Sequence, residues 1–279
     1  MVLVVAILAI RNEELYIRKC INHLINEGIK IVVIDNGSDD HTLHICREFY
    51  PDSILLIERV PYTGCFDLKR LLEKIQQLRK SLNTDWILYQ AADEILQSNI
   101  RNETLHDAIR RIDGLGYDAI NFDEFVFIPE SNEKRYGGTD YYRKMRYYYF
   151  FEPFKPRLIR AFKNALTVDN IYSGGHLLPI DKIKLYPENL ILRHYVCLSF
   201  EHARSKYGSR EFSEEALKKG WHYNRCNIDE TKLVAPSMHR LMKIDWSSPD
   251  ELDRTNPVKE HFWQWNDQSD GYSKKQHKN

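Results

Sequence analysis

Between residues 3 and 90 one rhythm repeats. LVVAILAI, IKIVVID, SILLIERV and DWILYQ are short apolar runs rich in β-branched residues, and amphipathic stretches separate them. Runs that lack an inside/outside alternation belong to strands covered on both faces, and strands alternating with helices predict a parallel sheet with helices packed on both sides. After the first run, Ile17, Cys20, Ile21, Leu24 and Ile25 fall on one helical face, and Asn12 is a candidate cap for that helix. A second helix is expected from Asp39 or Asp40, with Leu43, Cys46 and Phe49 apolar, and a third over 66–82. Right-handed crossovers place the carboxyl ends of such strands along one edge, the edge where ligands bind.

Four acids are delivered to that edge: Glu13 after the first strand, Asp35 at the end of the second, and the adjacent Asp93 and Glu94 after the fourth. Carboxylates gathered without a cation repel one another, so the cluster calls for a divalent metal or for hydrogen-bond donors on a ligand. Oxygen-rich ligation suits Mg²⁺ or Mn²⁺ bridging a diphosphate. The G-x-G-x-x-G dinucleotide signature and the P-loop pattern are both missing, and the first two turns instead read R-N-E-E and D-N-G-S-D-D. Each acid also has a purely local reading: first-turn residues favoured by the helix dipole, or turn and cap residues.

Composition narrows the classes. Forty Lys and Arg balance forty Asp and Glu, so the whole chain offers no electrostatic case for nucleic acid or for more than peripheral membrane contact. The leading MVLVVAILAI lacks a basic n-region and a cleavage site, and no run reaches the roughly 20 apolar residues of a membrane helix. Five cysteines without a C-x-x-C pair argue against a zinc ribbon or a disulfide framework and favour a reducing cytoplasm.

Beyond residue 117 the pattern changes. YDAINFDEFVFIPE alternates like a solvent-facing strand, and RYGGTDYYRKMRYYYFFEPFKPRLIRAF, crowded with aromatics and cations, reads as an irregular substrate surface or as aromatic packing under loops. A helix is expected over 201–222, and the closing SKKQHKN reads as a disordered basic tail. This divides the chain into a first half (1–125), a middle region (126–222) and a C-terminal extension (223–279).

AILAIRNEELYIRKCINHL, IVVIDNGSDDHTLHIC and DWILYQAADEIL, in this order and spacing, resemble the nucleotide-sugar half of family 2 glycosyltransferases of the GT-A fold. RLIRAFKN, YSGGHLL and LILRHYVCLS are more loosely similar to segments of the branch containing lipopolysaccharide-core β-glucosyltransferases. The resemblance covers roughly residues 3–200. It implies a mainly parallel sheet with a Rossmann-like nucleotide-binding half and an appended acceptor region, and inverting transfer of a sugar from a nucleotide diphosphate to a saccharide or glycolipid acceptor. Asn12 and Glu13 would line the nucleotide pocket, Asp35 would meet the base or ribose, and Lys69 and Arg70 would lie near the diphosphate or donor sugar. Asp93 would hold Mg²⁺ or Mn²⁺, and His194 would reach the metal or the leaving phosphate. The base that such transfer needs is open among Asp123, Glu124, Asp169 and His176.

The chain departs from the pattern twice: Ala91 stands where D-x-D-E has its first acid, and Leu177 stands where a glutamate would follow His176. Ala91 keeps open an inactive nucleotide-sugar binder. A nucleotidyltransferase would instead favour a Gly-rich, Lys-containing first loop, which A-I-R-N-E-E is not.

Overall fold

A computed structural model describes residues 2–208, 210–221, 225–226, 228–245, 247–248 and 251–265. The first strand, β1 (Val4–Ile10), is followed by α1 (Ile17–Asn26), β2 (Lys30–Asp35), α2 (Thr42–Arg47), β3 (Ile54–Arg59), α3 (Leu68–Ser81) and β4 (Trp86–Gln90). β1 pairs in parallel with β2 and β4, and β2 with β3, so the expected parallel unit is present.

Alternation along β1 assigns its two faces. Val4, Ala6, Leu8 and Ile10 join one apolar cluster with Ile17, Cys20, Ile21 and Leu24 of α1, while Val5 and Ile7 join another with Leu68, Leu71, Leu72 and Ile75 of α3. Both faces are thereby sealed, as continuous apolar runs require.

The rest of the sheet is antiparallel in large part, so the whole is mixed. β5 (Glu94–Gln97) and α4 (Leu105–Gly114) lead to β6 (Ala119–Ile128), then α5 (Tyr141–Lys144), β7 (Tyr147–Phe151), β8 (Leu158–Lys163) and β9 (Leu190–Tyr195). Two helices, α6 (Phe200–Tyr207) and α7 (Glu214–Lys218), and a short β10 (Met242–Lys243) follow among the described residues. The order is β10-β7-β6-β8-β4-β1-β2-β3, with β9 joined to β5 and β6.

Several expectations change here. β6 is buried at all ten positions, because β7, β8 and β9 pair with it; it is not a solvent-facing strand. The division expected at residue 125 falls inside it. The aromatic segment is ordered into α5, β7 and β8, with Tyr141, Tyr149, Phe150 and Phe162 in the core. The single helix expected over 201–222 is two helices broken at Gly208. Asn12 caps nothing: it takes φ 54°, four residues before the cap Tyr16, and α2 begins later than expected, after His41. SKKQHKN lies outside the described residues. Among the described residues no helix is long and apolar enough to cross a membrane.

Candidate active site

Two loops at the carboxyl edge are laced together first. The Asn12 backbone N–H donates to Ser38 Oγ (3.1 Å), the Asn12 side chain exchanges hydrogen bonds with Asp39, and Glu13 N–H donates to Thr42 Oγ1 (2.7 Å). Asp35 folds the second loop by accepting from Ser38 N–H (3.1 Å) and from Arg59 Nε (3.3 Å). Gly37, at φ 67°, lets the turn pass Tyr62, whose Cβ would lie 3.1 Å from an added Cβ. The Gly37 carbonyl accepts from Arg11 (2.8 Å), and the Arg11 guanidinium lies 3.6 Å from the centre of the Tyr62 ring.

The second half of the sheet supplies the electrostatic centre. Antiparallel pairing sets Glu94 opposite His194, and the Asp93 carbonyl accepts from Tyr195 N–H (2.8 Å). On the other side of β9, Val126 aligns with His194 and Glu124 with Leu192, so Glu124 is a diagonal neighbour of the imidazole. His194 bridges two carboxylates: Nδ1 lies 2.6 Å from Glu124 Oε1 and Nε2 lies 3.3 Å from Asp93 Oδ2. Burial alone would lower its pKa, but Asp93 and Glu124 outweigh that and raise it to about 10, so it is an imidazolium donating from both nitrogens.

Each buried acid has a cation of its own. Lys206 Nζ lies 2.6 Å from Asp93 Oδ2, Arg157 Nη2 2.6 Å from Glu124 Oε2, and Arg160 Nη2 2.6 Å from Glu94 Oε1. Burial pushes the Asp93 and Glu124 carboxyls up, yet Lys206 and Arg157 respectively, together with His194, hold both well below the ordinary range. Glu13 goes the other way. Burial raises it, Lys206 opposes and Asp93 adds, leaving it at about 7.

Around this centre lies a cavity of about 790 Å³. Its lining includes Asn12, Glu13 and Asn36 from the laced loops, Asp93, Glu94, Glu124 and His194 from the second half of the sheet, His176 and Trp221, and the cations Lys206, Arg210 and Arg225. Thus seven of the residues singled out in the sequence, Asn12, Glu13, Asp93, Glu94, Glu124, His176 and His194, share one space.

The other five do not reach it. Asp35 is fully buried behind its own loop, and the neighbouring Asn36 lines the wall instead. Lys69 pairs with Glu215 (2.9 Å) on the outer face of α3, and the Arg70 guanidinium donates to the Pro61 carbonyl (3.3 Å). Asp123 points to the face of β6 opposite Glu124, as adjacent strand residues must, and meets Asn189 (2.8 Å) and Arg254 (2.7 Å). Asp169 accepts from Ile171 N–H (2.9 Å), a local turn.

His176 is held neutral, its pKa drawn well below 6.5 by burial and by Arg157 and Arg160, and its Nδ1 is buried without a partner among the described residues. Lys206, Arg157 and Arg160 were not singled out in the sequence. The available signals were His202 and Lys206, four apart on the helix after His194, and the two arginines of PRLIR.

A divalent metal fits this arrangement poorly. The Asp93 oxygen Oδ2 is taken by an ammonium and an imidazolium, both nitrogens of His194 face carboxylates, and Ala91 offers no ligand. Among the described residues no group of three or more His, Cys, Asp or Glu side chains is placed to hold a metal ion. The repulsion that called for a metal is relieved instead by fixed cations.

The family model described as Glycosyl transferase family 2 matches residues 5–62, the stretch from β1 through β3 that carries the laced loops. No curated protein matches the chain. Among solved structures the chain is similar to TarS of S. aureus at 15% identity, covering 76% of this chain and 41% of that one, with a TM-score of 0.44. A TarS structure of residues 1–349 gives 15% identity, 83% and 71% coverage and 0.44, and the same fragment in complex with UDP gives 15%, 82% and 71%, and 0.42. The chain thus spans well under half the length of the first of these.

Proposed function

We propose that the cavity binds a nucleotide diphosphate sugar and that the chain is an inverting glycosyltransferase. One observation carries this reading: the loops inside the matched segment 5–62 open onto the same cavity as Asp93, which lies far outside that segment. A pocket lined by the loops of the matched segment, by the cations Lys206, Arg210 and Arg225 and by aromatic rings suits an anionic donor and a sugar hydroxyl. The looser likeness of RLIRAFKN, YSGGHLL and LILRHYVCLS to the lipopolysaccharide-core branch supports a surface saccharide or glycolipid as the acceptor.

In the step itself, the acceptor oxygen bonds to C1 as the bond from C1 to the phosphate oxygen breaks. The electron pair leaves with the nucleoside diphosphate, and the hydroxyl proton goes to a base. Of the four candidate bases, Glu124 is the carboxylate that lines the cavity, and we assign it this role, the acceptor hydroxyl displacing one of its contacts to Arg157 and His194. A carboxylate held low is a weak base, but it suffices because the attacking oxygen becomes strongly acidic as it bonds to C1. Arg157, Lys206 and Arg210 supply the positive field in which the leaving phosphate gains charge.

The test is release of nucleoside diphosphate from UDP-, GDP- and dTDP-sugars, run beside thermal shifts with the free diphosphates. One base should stabilise the protein and its sugar should turn over. Ala91 favours a second reading, a binder without turnover, which would show the thermal shift and no release. Neither shift nor release with any compound would end both.

A further inference from the structure

We propose that Lys206 is the built-in cation of the donor site, standing where a divalent metal would otherwise bridge Asp93 and the diphosphate; this rests on the nucleotide-sugar reading above. Lys206 Nζ sits 2.6 Å from Asp93 Oδ2, within the cavity, with both side chains only 9% exposed. The position is fixed from both directions. α6 follows β9 after four intervening residues, with Ser199 Oγ accepting from His202 N–H at its cap, and this helix carries Lys206 back to Asp93, whose carbonyl meets the Tyr195 N–H beside His194. The rings of Tyr16 and Tyr207 flank the ammonium at 5.0 and 5.7 Å, so it cannot swing into solvent without leaving an aromatic slot.

The sequence departure and the geometry explain each other. Two acids in a D-x-D pair balance a divalent ion, whereas a single acid, Asp93 with Ala91 before it, balances one ammonium. The pair keeps the charge neutrality of a metal site with one positive charge fewer and one negative charge fewer. Lys206 then presents its remaining N–H donors to the cavity, where a phosphate oxygen can accept them. As the C1–O bond breaks and its electron pair passes to the diphosphate, this ammonium, with Arg210 on the same wall, meets the new charge. Asp93 is in this account a positioning residue for Lys206.

The experiment is titration calorimetry of the full chain with UDP, GDP and dTDP, in EDTA and in Mn²⁺, repeated on Lys206→Met and Lys206→Arg. Native protein should bind its preferred diphosphate equally well in EDTA and Mn²⁺. Lys206→Met should lose about tenfold or more in EDTA, the scale of one charge-assisted hydrogen bond, and regain affinity in Mn²⁺, because the freed Asp93 oxygen can now take a metal. Lys206→Arg should retain most of the metal-free binding. A lysine that only holds α6 in place would not create a metal requirement on removal. Binding of the native protein in Mn²⁺ but not in EDTA overturns the inference and leaves the glycosyltransferase reading standing; no binding under either condition overturns both. The native comparison needs no variant, so it decides the matter even if Lys206→Met does not fold.

Discussion

Replacing His194 with glutamine probes the centre most directly. In the native protein the imidazolium joins Glu124 at 2.6 Å to Asp93 at 3.3 Å, with burial opposing its charge and the two carboxylates more than compensating. Its pKa rises from the ordinary 6.5 to about 10 on folding. At 1.36 kcal/mol per tenfold step this is a stabilisation of about 5 kcal/mol at most, present in full below pH 6.5, where the unfolded histidine is also charged. Above that pH folding must capture a proton, so the contribution falls by about 1.4 kcal/mol per pH unit and vanishes near pH 10. Glutamine has no proton to lose. Urea unfolding of both proteins from pH 6 to 10 should therefore show a gap of about 4 kcal/mol near pH 7 that closes steadily toward pH 10. Taking the difference removes the titrations that both proteins share. Stability curves that run parallel, whatever their separation, would refute the imidazolium bridge.

Arg160→Met should cost about 3–5 kcal/mol in urea unfolding, because it strands the Glu94 carboxylate that Arg160 meets at 2.6 Å in the core; a loss under about 1 kcal/mol would contradict the pairing. Glu124→Gln should lower turnover by about 10²–10⁴ while the protein still binds the donor diphosphate, and Asp123→Asn, on the other face of β6, should leave turnover unchanged. Equal losses in the two variants would remove Glu124 from the role of base. Gly175→Ala should destabilise by about 1–3 kcal/mol, since this glycine holds φ 87° and an added Cβ would lie 3.0 Å from Leu72 Cδ2 and 3.2 Å from Tyr89 Cε1; an unchanged unfolding midpoint would refute that packing.

The parallel unit was legible because each of its strands is an unbroken apolar run whose faces are both covered by nearby helices, so local pattern and long-range packing agree. β6 was misread because polar residues in a strand look alike whether they meet water or a distant partner. Asn121 accepts from the Arg157 and Leu158 backbone, Asp123 meets Asn189 and Arg254, and Glu124 meets Arg157 and His194. All those partners lie at least thirty residues away. The gathering of Glu13 and Asp93 on one cavity followed from strand-end placement, whereas His194 was reached only through the resemblance. Lys69 and Arg70 lie off the cavity lining, because proximity in sequence to a loop does not say which face of α3 a residue occupies. Lys206 was invisible for the converse reason: its partner Asp93 is 113 residues distant, and a lysine late in a polar helix looks like any solvated one.

The strand pairing of β6 also decides what the last described residues are for. Arg254 ties that stretch to Asp123 on one face, Val258 bridges Phe151 at the edge of β7, and His261 stacks between Phe151 and Trp263 while sharing a hydrogen bond with the Tyr149 hydroxyl, leaving Lys259 and Gln264 on the cavity wall. Residues 251–265 therefore close one side of the cavity, and any shortened version of this protein that stops before them would keep its laced loops and lose that enclosure.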